Sequence, residues 1–288
     1  MVRFVSYRSG SALRAGAVLR AADGDRLLDL GADPLVEILS DAGRTDAARA
    51  AVAAADASAL PALASVRLEA PVRPGTILCL GYNYRGHVPD GVDPTADDPA
   101  TPDVFVKTRN TLAGPADPVV VPAVADDVDY EGELAVVIGR RAKDVTPQQA
   151  LRHVAGYTIL NDVSDRSWQR RQSQWALGKC FDSFAPLGPW IVTPDDVGDP
   201  QDLLVEVVRD GVVTVSQSTA TTIFPVADIV SYLSQVMTLE PGDVVSTGTP
   251  QKLPEAQAAH RPLRPGDTVT VRIARIGELT TTFIGGTA

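Results

Sequence analysis

The run Asp129-Tyr130-Glu131-Gly132-Glu133 is where this chain first offers chemistry. On a β-strand alternate side chains share a face, so Glu131 and Glu133 point the same way. Gly132 between them leaves the other side clear for a close neighbour. The residues that follow, Leu-Ala-Val-Val-Ile-Gly, are apolar enough to be buried. Two carboxylates at the head of a buried strand need a counter-charge, and a divalent cation would supply it. A bare Glu-x-Glu is more often an acidic solvent face on an edge strand, so a second segment carries the weight. Residues 157–160 read as a buried strand ending at Asn161-Asp162, and Asp162 offers a third carboxylate. Three carboxylates without a His or Cys partner select a hard ion such as Mg²⁺ over zinc. Beyond Asp162 the chain turns into a helix, where Arg166 and Gln169, three apart, share one face. Each alone is commonly an ordinary surface residue; together they suit a substrate carboxylate or carbonyl.

These groups must be positioned by a scaffold rich in short strands. From Thr76 onward the clearest strands are 77–80, 119–121, 134–138, 157–160, 203–208, 244–246 and 268–273. Pro241-Gly242-Asp243 and Pro265-Gly266-Asp267 read as turns entering strands. Helical periodicity is confined to 147–153, a stretch after Asp165, and 226–237. The chain before residue 70 reads differently. It has short strands near 2–7 and 15–20, a turn at Asp23-Gly24, and an Ala-rich stretch from Asp46 to Ala64, interrupted by Pro61 and expected to be mostly a surface helix. This gives a small N-terminal α/β domain over 1–70 and a second domain over 71–288. The fold class is α+β, mostly β, as a rolled sheet or barrel-like sandwich. No strand–GxGxxG–helix unit appears, which disfavours a dinucleotide-binding sheet. The 17 residues between His87 and Phe105 are crowded with Pro, Asp and Gly and read as a lid next to a polar cluster.

Composition narrows the function. The 288 residues carry 36 acids against 26 Lys and Arg, a formal net charge of −10. An acidic chain without a basic block is a poor nucleic-acid binder. No run of eighteen apolar residues exists to span a membrane, and the start lacks the apolar core of a signal peptide. Two cysteines make neither a disulfide framework nor a Cys-rich zinc site, so the expected setting is a reducing cytoplasm. A charge of −10 repels a small carboxylate at long range, so a site for one must supply its own positive charge.

Six stretches, in this order, resemble the fumarylacetoacetate hydrolase family: CLGYNYRGH (79–87), FVKTRNTLAGP (105–115), DYEGELAVVIGR (129–140), GYTILNDVSDRSWQ (156–169), GKCFDSFAPLGP (178–189) and LEPGDVVSTGTP (239–250). The first 70 residues resemble the small N-terminal domain of many members. The resemblance implies a mixed β-sandwich roll whose strand ends hold one Mg²⁺, Mn²⁺ or Ca²⁺ through Glu131, Glu133 and Asp162. It implies Lys179 as the active-site lysine, and Arg166, Gln169 and Thr249 on the substrate side, Thr249 holding the substrate carboxylate. His87 takes the place of the water-activating histidine on a mobile lid. Family hydrolases pair that histidine with a glutamate three residues later; here the run is His87-Val88-Pro89-Asp90, one methylene shorter. Tyr84, with Tyr82, is a pocket-lining or packing residue, and Lys107 an architectural one. Cys180 is expected to be a buried, inert thiol, and His153 and His260 are not metal candidates. The activity implied is hydrolysis of the C–C bond of an acylpyruvate or fumarylpyruvate-like 1,3-diketo acid late in aromatic catabolism, by a homodimer acting on a small anionic 2-oxo acid. Isomerisation or decarboxylation of a 2-oxo or 2-hydroxy-dienoate diacid, or of oxaloacetate, and a ureidoglycolate-type lyase activity are the alternatives. A non-enzymatic metal-stabilised protein is disfavoured by the joint presence of His87, Lys179 and Thr249.

Overall fold

The structure, a computed structural model, describes residues 1–88, 93 and 97–286. Asp90 and much of the expected lid lie outside the described residues. The strand Gly132–Ile138 is apolar at both odd and even positions after its glutamates, so it must bury both faces, and it does so along its whole length. It pairs antiparallel with Val154–Asn161 on one side and with Val244–Ser246 on the other. Val244–Ser246 continues in parallel to Ile77–Gly81, whose far neighbour is Asp103–Lys107. Beyond Val154–Asn161 come Ala185–Val192, Arg3–Ser9, Ala12–Ala21 and Gly24–Gly31. With two short side strands, this makes an eleven-stranded sheet among the described residues.

Alternation along the central strand assigns its side chains to two cores. Leu134, Val136 and Ile138 pack against Val205, Val207, Val269 and Val271 of a five-stranded second sheet built on Leu204–Arg209 and Thr268–Ile273. Ala135 and Val137 face the other way, onto Phe4, Leu35, Ile38 and Ile77. The N-terminal residues therefore share this second core and extend the main sheet, through Arg3↔Val192 and Phe4↔Ile191. The chain is mostly β, as the sequence predicts, in two facing sheets. No helix among the described residues is long and apolar enough to cross a membrane.

The Ala-rich stretch departs from expectation. Its helix runs Ala42–Ala54, earlier and shorter than 46–64. Asp41 starts it by accepting from the Arg44 amide, and after Ala55 the Asp56 side chain captures the Ser58 amide into a 3₁₀ turn. Pro61 then offers its carbonyl to the Leu27 amide at 3.0 Å, tying the remaining residues to the sheet. The helix after Asp165 is a single turn, Arg166–Gln169, capped by Asp165 on the Trp168 amide. The helix expected over 147–153 is Pro147–Ala150 followed by a 3₁₀ turn, Leu151–His153. The helix expected over 226–237 is Val226–Val236.

Gly132 has the close neighbour its position implies. A Cβ there would meet Val207 Cγ2 at 2.5 Å and Val271 Cγ1 at 2.8 Å. Strand alternation turns the glutamates to the opposite face, and the missing Cβ lets the second sheet approach this closely. Gly132→Ala is expected to lower stability by about 1–3 kcal/mol, read as a lower denaturation midpoint; an unchanged midpoint would show that the sheets separate freely here.

Candidate active site

Register brings the carboxylates together. Gly132 pairs with Asn161 and Glu133 with Leu160, so Asp162 follows its strand onto the side where Glu131 and Glu133 lie. The Asp162 amide donates to the Glu131 carbonyl at 2.8 Å and fixes that corner. One carboxylate oxygen from each of Glu131, Glu133 and Asp162 falls within 4.8 Å of the others, and all three residues are buried.

Such crowding of negative charge requires cations, and the fold supplies three. Lys179 Nζ donates to Glu131 Oε2 and to Asp162 Oδ2, at 2.7 Å each. Its ammonium lies 4.7 Å from the centroid of the Phe105 ring. Lys107 Nζ donates to Asp162 Oδ1 at 2.6 Å and to the Val163 carbonyl at 3.0 Å. Arg166 Nη2 reaches Glu131 Oε1 at 2.6 Å. Among the described residues Glu133 receives no cation directly: its Oε2 accepts from Ser246 Oγ at 2.6 Å and from the Gly248 amide at 2.8 Å. The consequences split the two glutamates. Burial alone would raise Glu131, but Arg166 and Lys179 hold its carboxyl well below the usual range. Burial, with Asp162 and Glu131 beside it, pushes Glu133 well above that range.

Of the six oxygens in the triad, Glu133 Oε1 alone is buried with no partner among the described residues. A buried lone pair of this kind is costly unless something binds it. An all-oxygen set with one orphaned acceptor fits a hard divalent cation. Glu131, Glu133 and Asp162 would hold it.

Glu131, the triad member that reaches it, lines a cavity of about 510 Å³ together with His87, Arg166, Gln169, Lys179, Thr249 and Lys252, among others. His87 Nδ1 lies 2.9 Å from the Thr249 carbonyl. A carbonyl only accepts, so Nδ1 carries the proton and Nε2 is left as the basic nitrogen. Burial lowers the His87 pKa and keeps the ring neutral. Tyr82 meets the His87 ring edge-on at 5.4 Å between centroids, and Trp175 meets Tyr82 at 5.7 Å.

Other positions are sorted by the same geometry. Arg166 donates to Asp129 Oδ2 through Nε and Nη2 and to Gln169 Oε1 through Nη1, so its guanidinium organises the wall as well as Glu131. That leaves the Gln169 amide N–H groups available to the cavity. Thr249 Oγ1 donates to the Gly132 carbonyl at 3.2 Å. Tyr84, expected on the substrate side, is wholly buried; Tyr82 lines the cavity in its place. Tyr84 turns inward because its segment is bound at the backbone: the Arg85 amide donates to the Thr221 carbonyl and Asn83 bonds Phe224 and Thr247. Cys180 is half-buried, not buried, with Sγ near the Val106 carbonyl. Lys107 belongs to the triad's own charge balance. Asp129, which accepts from both Arg166 and Lys252, was also not singled out by sequence; its spacing of two from Glu131 and four from Glu133 was the available signal.

The fumarylacetoacetate hydrolase C-terminal family profile matches residues 76–284, which hold every residue of this site. The human mitochondrial protein named oxaloacetate tautomerase FAHD2A is 36% identical over 288 residues, covering 96% of this chain and 90% of its own. Among solved structures, the 2-hydroxyhepta-2,4-diene-1,7-dioate isomerase of Mycobacterium marinum superposes with a TM-score of 0.79 at 33% identity over 100% of both chains. The maleylpyruvate hydrolase of Sphingobium sp. SYK-6, in complex with manganese(II) and pyruvate, also has a TM-score of 0.79, at 30% identity over 99% of this chain and 100% of its own. With the carboxylate triad, its lysine and the enclosed histidine in the matched region, the chain belongs to the fumarylacetoacetate hydrolase family of enzymes.

Proposed function

We propose that the protein is a Mg²⁺-dependent hydrolase, also served by Mn²⁺ or Ca²⁺, that cleaves the C–C bond of an acylpyruvate-like 1,3-diketo acid. The observation that carries this reading is the His87–Thr249 hydrogen bond, which leaves Nε2 as the basic nitrogen of a ring that lines the same cavity as Lys179 and Glu131. The bound ion would polarise the carboxylate and keto oxygens of the 2-oxo acid end. His87 Nε2 takes a proton from a water, whose oxygen adds to the distal acyl carbonyl. The bond between that carbon and the methylene then breaks, and its electron pair moves into an enolate. The Lys179 ammonium, kept charged by Asp162 and Glu131, stabilises the enolate oxygen. The proton held on His87 Nε2 is then returned to the enolate carbon, which completes a carboxylic acid and a 2-oxo acid and restores the neutral ring. Thr249 and the Gln169 amide are proposed to hold the substrate carboxylate, and Arg166 to keep Gln169 and Glu131 in place. Asp90 is proposed as the acid that orients His87.

The second reading is proton transfer without cleavage, or decarboxylation, on a similar 2-oxo acid. The names of the human tautomerase and the Mycobacterium marinum isomerase favour it. A base at His87 opposite a stabilised enolate serves that chemistry equally well.

A panel of 1,3-diketo acids followed by ultraviolet absorbance separates the two. Loss of the diketo chromophore with two acids formed, only when Mg²⁺ is present, supports hydrolysis. Carbon dioxide release or interconversion without cleavage supports the second reading, and turnover that survives metal removal overturns both. His87→Ala should lower kcat by about 10²–10⁴-fold. Asp90→Ala should cost less, because the Thr249 carbonyl already orients the ring. Since the base must be neutral and burial lowers its pKa, kcat/KM should hold through neutral pH and fall only below the ordinary histidine range. Glu133, raised by burial, must lose its proton to ligate, so Mn²⁺ affinity should rise with pH and binding should release a proton. Calorimetry in two buffers of different ionisation heat reads this; no buffer dependence would contradict it.

A further inference from the structure

Four rings and one ammonium make an unbroken line along the cavity. His87 meets Tyr82 at 5.4 Å between centroids, Tyr82 meets Trp175 at 5.7 Å, and Trp175 meets Phe105 at 5.5 Å. Lys179 Nζ ends the line, 4.7 Å from the Phe105 centroid. The three ring pairs cross at 75°, 78° and 75°, the edge-to-face arrangement that aromatic quadrupoles favour. All five side chains line the same cavity.

Trp175 is the middle of this line. It stands immediately before the helical turn Ala176–Lys179, and its carbonyl accepts from the Gly178 amide at 2.9 Å. Trp175 and Lys179 are therefore one turn apart on the same short element. The indole sits on Gly81, the last residue of the strand Ile77–Gly81. A Cβ on Gly81 would fall 2.5 Å from Trp175 Cζ3 and 2.7 Å from Cη2, so the ring needs a glycine there. Among the described residues Trp175 and Tyr82 belong to none of the apolar cores, so filling a core does not account for them. Tyr82 also holds the left-handed backbone, at φ 50°, which a bulky side chain rarely adopts. Strain of this kind persists where neighbours enforce it, and here it turns the ring toward His87 and Trp175.

We infer that Trp175 is a positioning residue that sets His87 and Lys179 relative to each other, holding Tyr82 against the one and Phe105 against the other. The inference rests on the roles given to His87 and Lys179 above and adds the part that joins them. The Thr249 carbonyl decides which nitrogen of His87 carries the proton and where Nδ1 points. The freedom that remains is tilt of the ring about that bond, and the Tyr82 edge removes it. On the other side Lys179 is aimed by Glu131 and Asp162, and the Phe105 face closes its remaining flank. His87 and Lys179 lie on different stretches of chain, and Trp175 is the side chain that touches the supporting ring of each.

Three variants of the Mg²⁺-loaded protein test this: Trp175→Leu removes the ring, Gly81→Ala displaces it, and Trp175→Phe keeps a smaller one. The first readout is nuclear magnetic resonance with ¹⁵N-labelled histidine, following exchange of the His87 Nδ1 proton with water; the signal is assigned by its loss in His87→Gln. Exchange should quicken roughly tenfold or more in Trp175→Leu and in Gly81→Ala, with Trp175→Phe in between. Ile38→Ala, which loosens the other core, should leave it unchanged. Where a 1,3-diketo acid is turned over, kcat should fall about 10–100-fold in the first two variants while KM moves less than about threefold. If Trp175→Leu does not fold, Gly81→Ala gives the same comparison with the indole still present. Unchanged exchange in both, equal quickening by Ile38→Ala, or a change in KM alone overturns the inference. The exchange measurement needs no turnover, so failure to cleave any diketo acid overturns the hydrolase reading and leaves the role of Trp175 to be decided by exchange.

Discussion

Everything in this protein's site follows from forcing Glu131, Glu133 and Asp162 within 4.8 Å of one another away from water. Buried like charges repel strongly and are tolerated only when paired and hydrogen-bonded. The chain meets that requirement at five of the six oxygens, among the described residues. Lys179 bridges Glu131 and Asp162, Lys107 takes the second oxygen of Asp162, and Arg166 takes the second oxygen of Glu131. Glu133 is held by Ser246 and the Gly248 amide, neutral donors that fix one oxygen and leave the other free. The cations come from three separate stretches of chain, so the triad ties the main sheet to the segments that flank it.

The same constraint explains the central strand. Its glutamates face one core and its glycine the other, and the glycine is where Val207 and Val271 come closest. Large apolar residues resume at once on both sides. A rigid, doubly buried strand holds the carboxylates by backbone register with no loop freedom, and register errors of one residue would turn them into the apolar core.

Much of this was legible in the sequence because it depends on local alternation. Glu131 and Glu133 could be read as neighbours from the two-residue period, Asp162 from its place at the end of an apolar strand, and the Val226–Val236 helix from its periodicity. What was not legible depends on long-range contacts. Lys107 meets Asp162 across 55 residues, and no local pattern in FVK announces it. Tyr82 and Tyr84 have the same parity; only the left-handed backbone of Tyr82, at φ 50°, and the bonds of Asn83 to Phe224 and Thr247 separate a cavity-lining ring from a buried one. The Ala-rich helix ends early because Asp56 and Pro61 have better partners elsewhere than in a continuing helix. Helix propensity says nothing of those partners.

The division of labour between strands and loops bears on how one site can host several reactions. The triad, Lys107 and Lys179 are wholly buried and mutually dependent, so changing any of them strands a charge. The segment 251–260, by contrast, is exposed along much of its length, with Gln251, Lys252, Gln257 and His260 lining the cavity. His87 stands between the two: its ring is fixed by a backbone carbonyl, which no side-chain substitution at Thr249 removes. On the proposed function the base is thus oriented by the scaffold itself. Cleavage and proton transfer, the two readings proposed above, would both draw on the same charge-balanced carboxylates and Lys179.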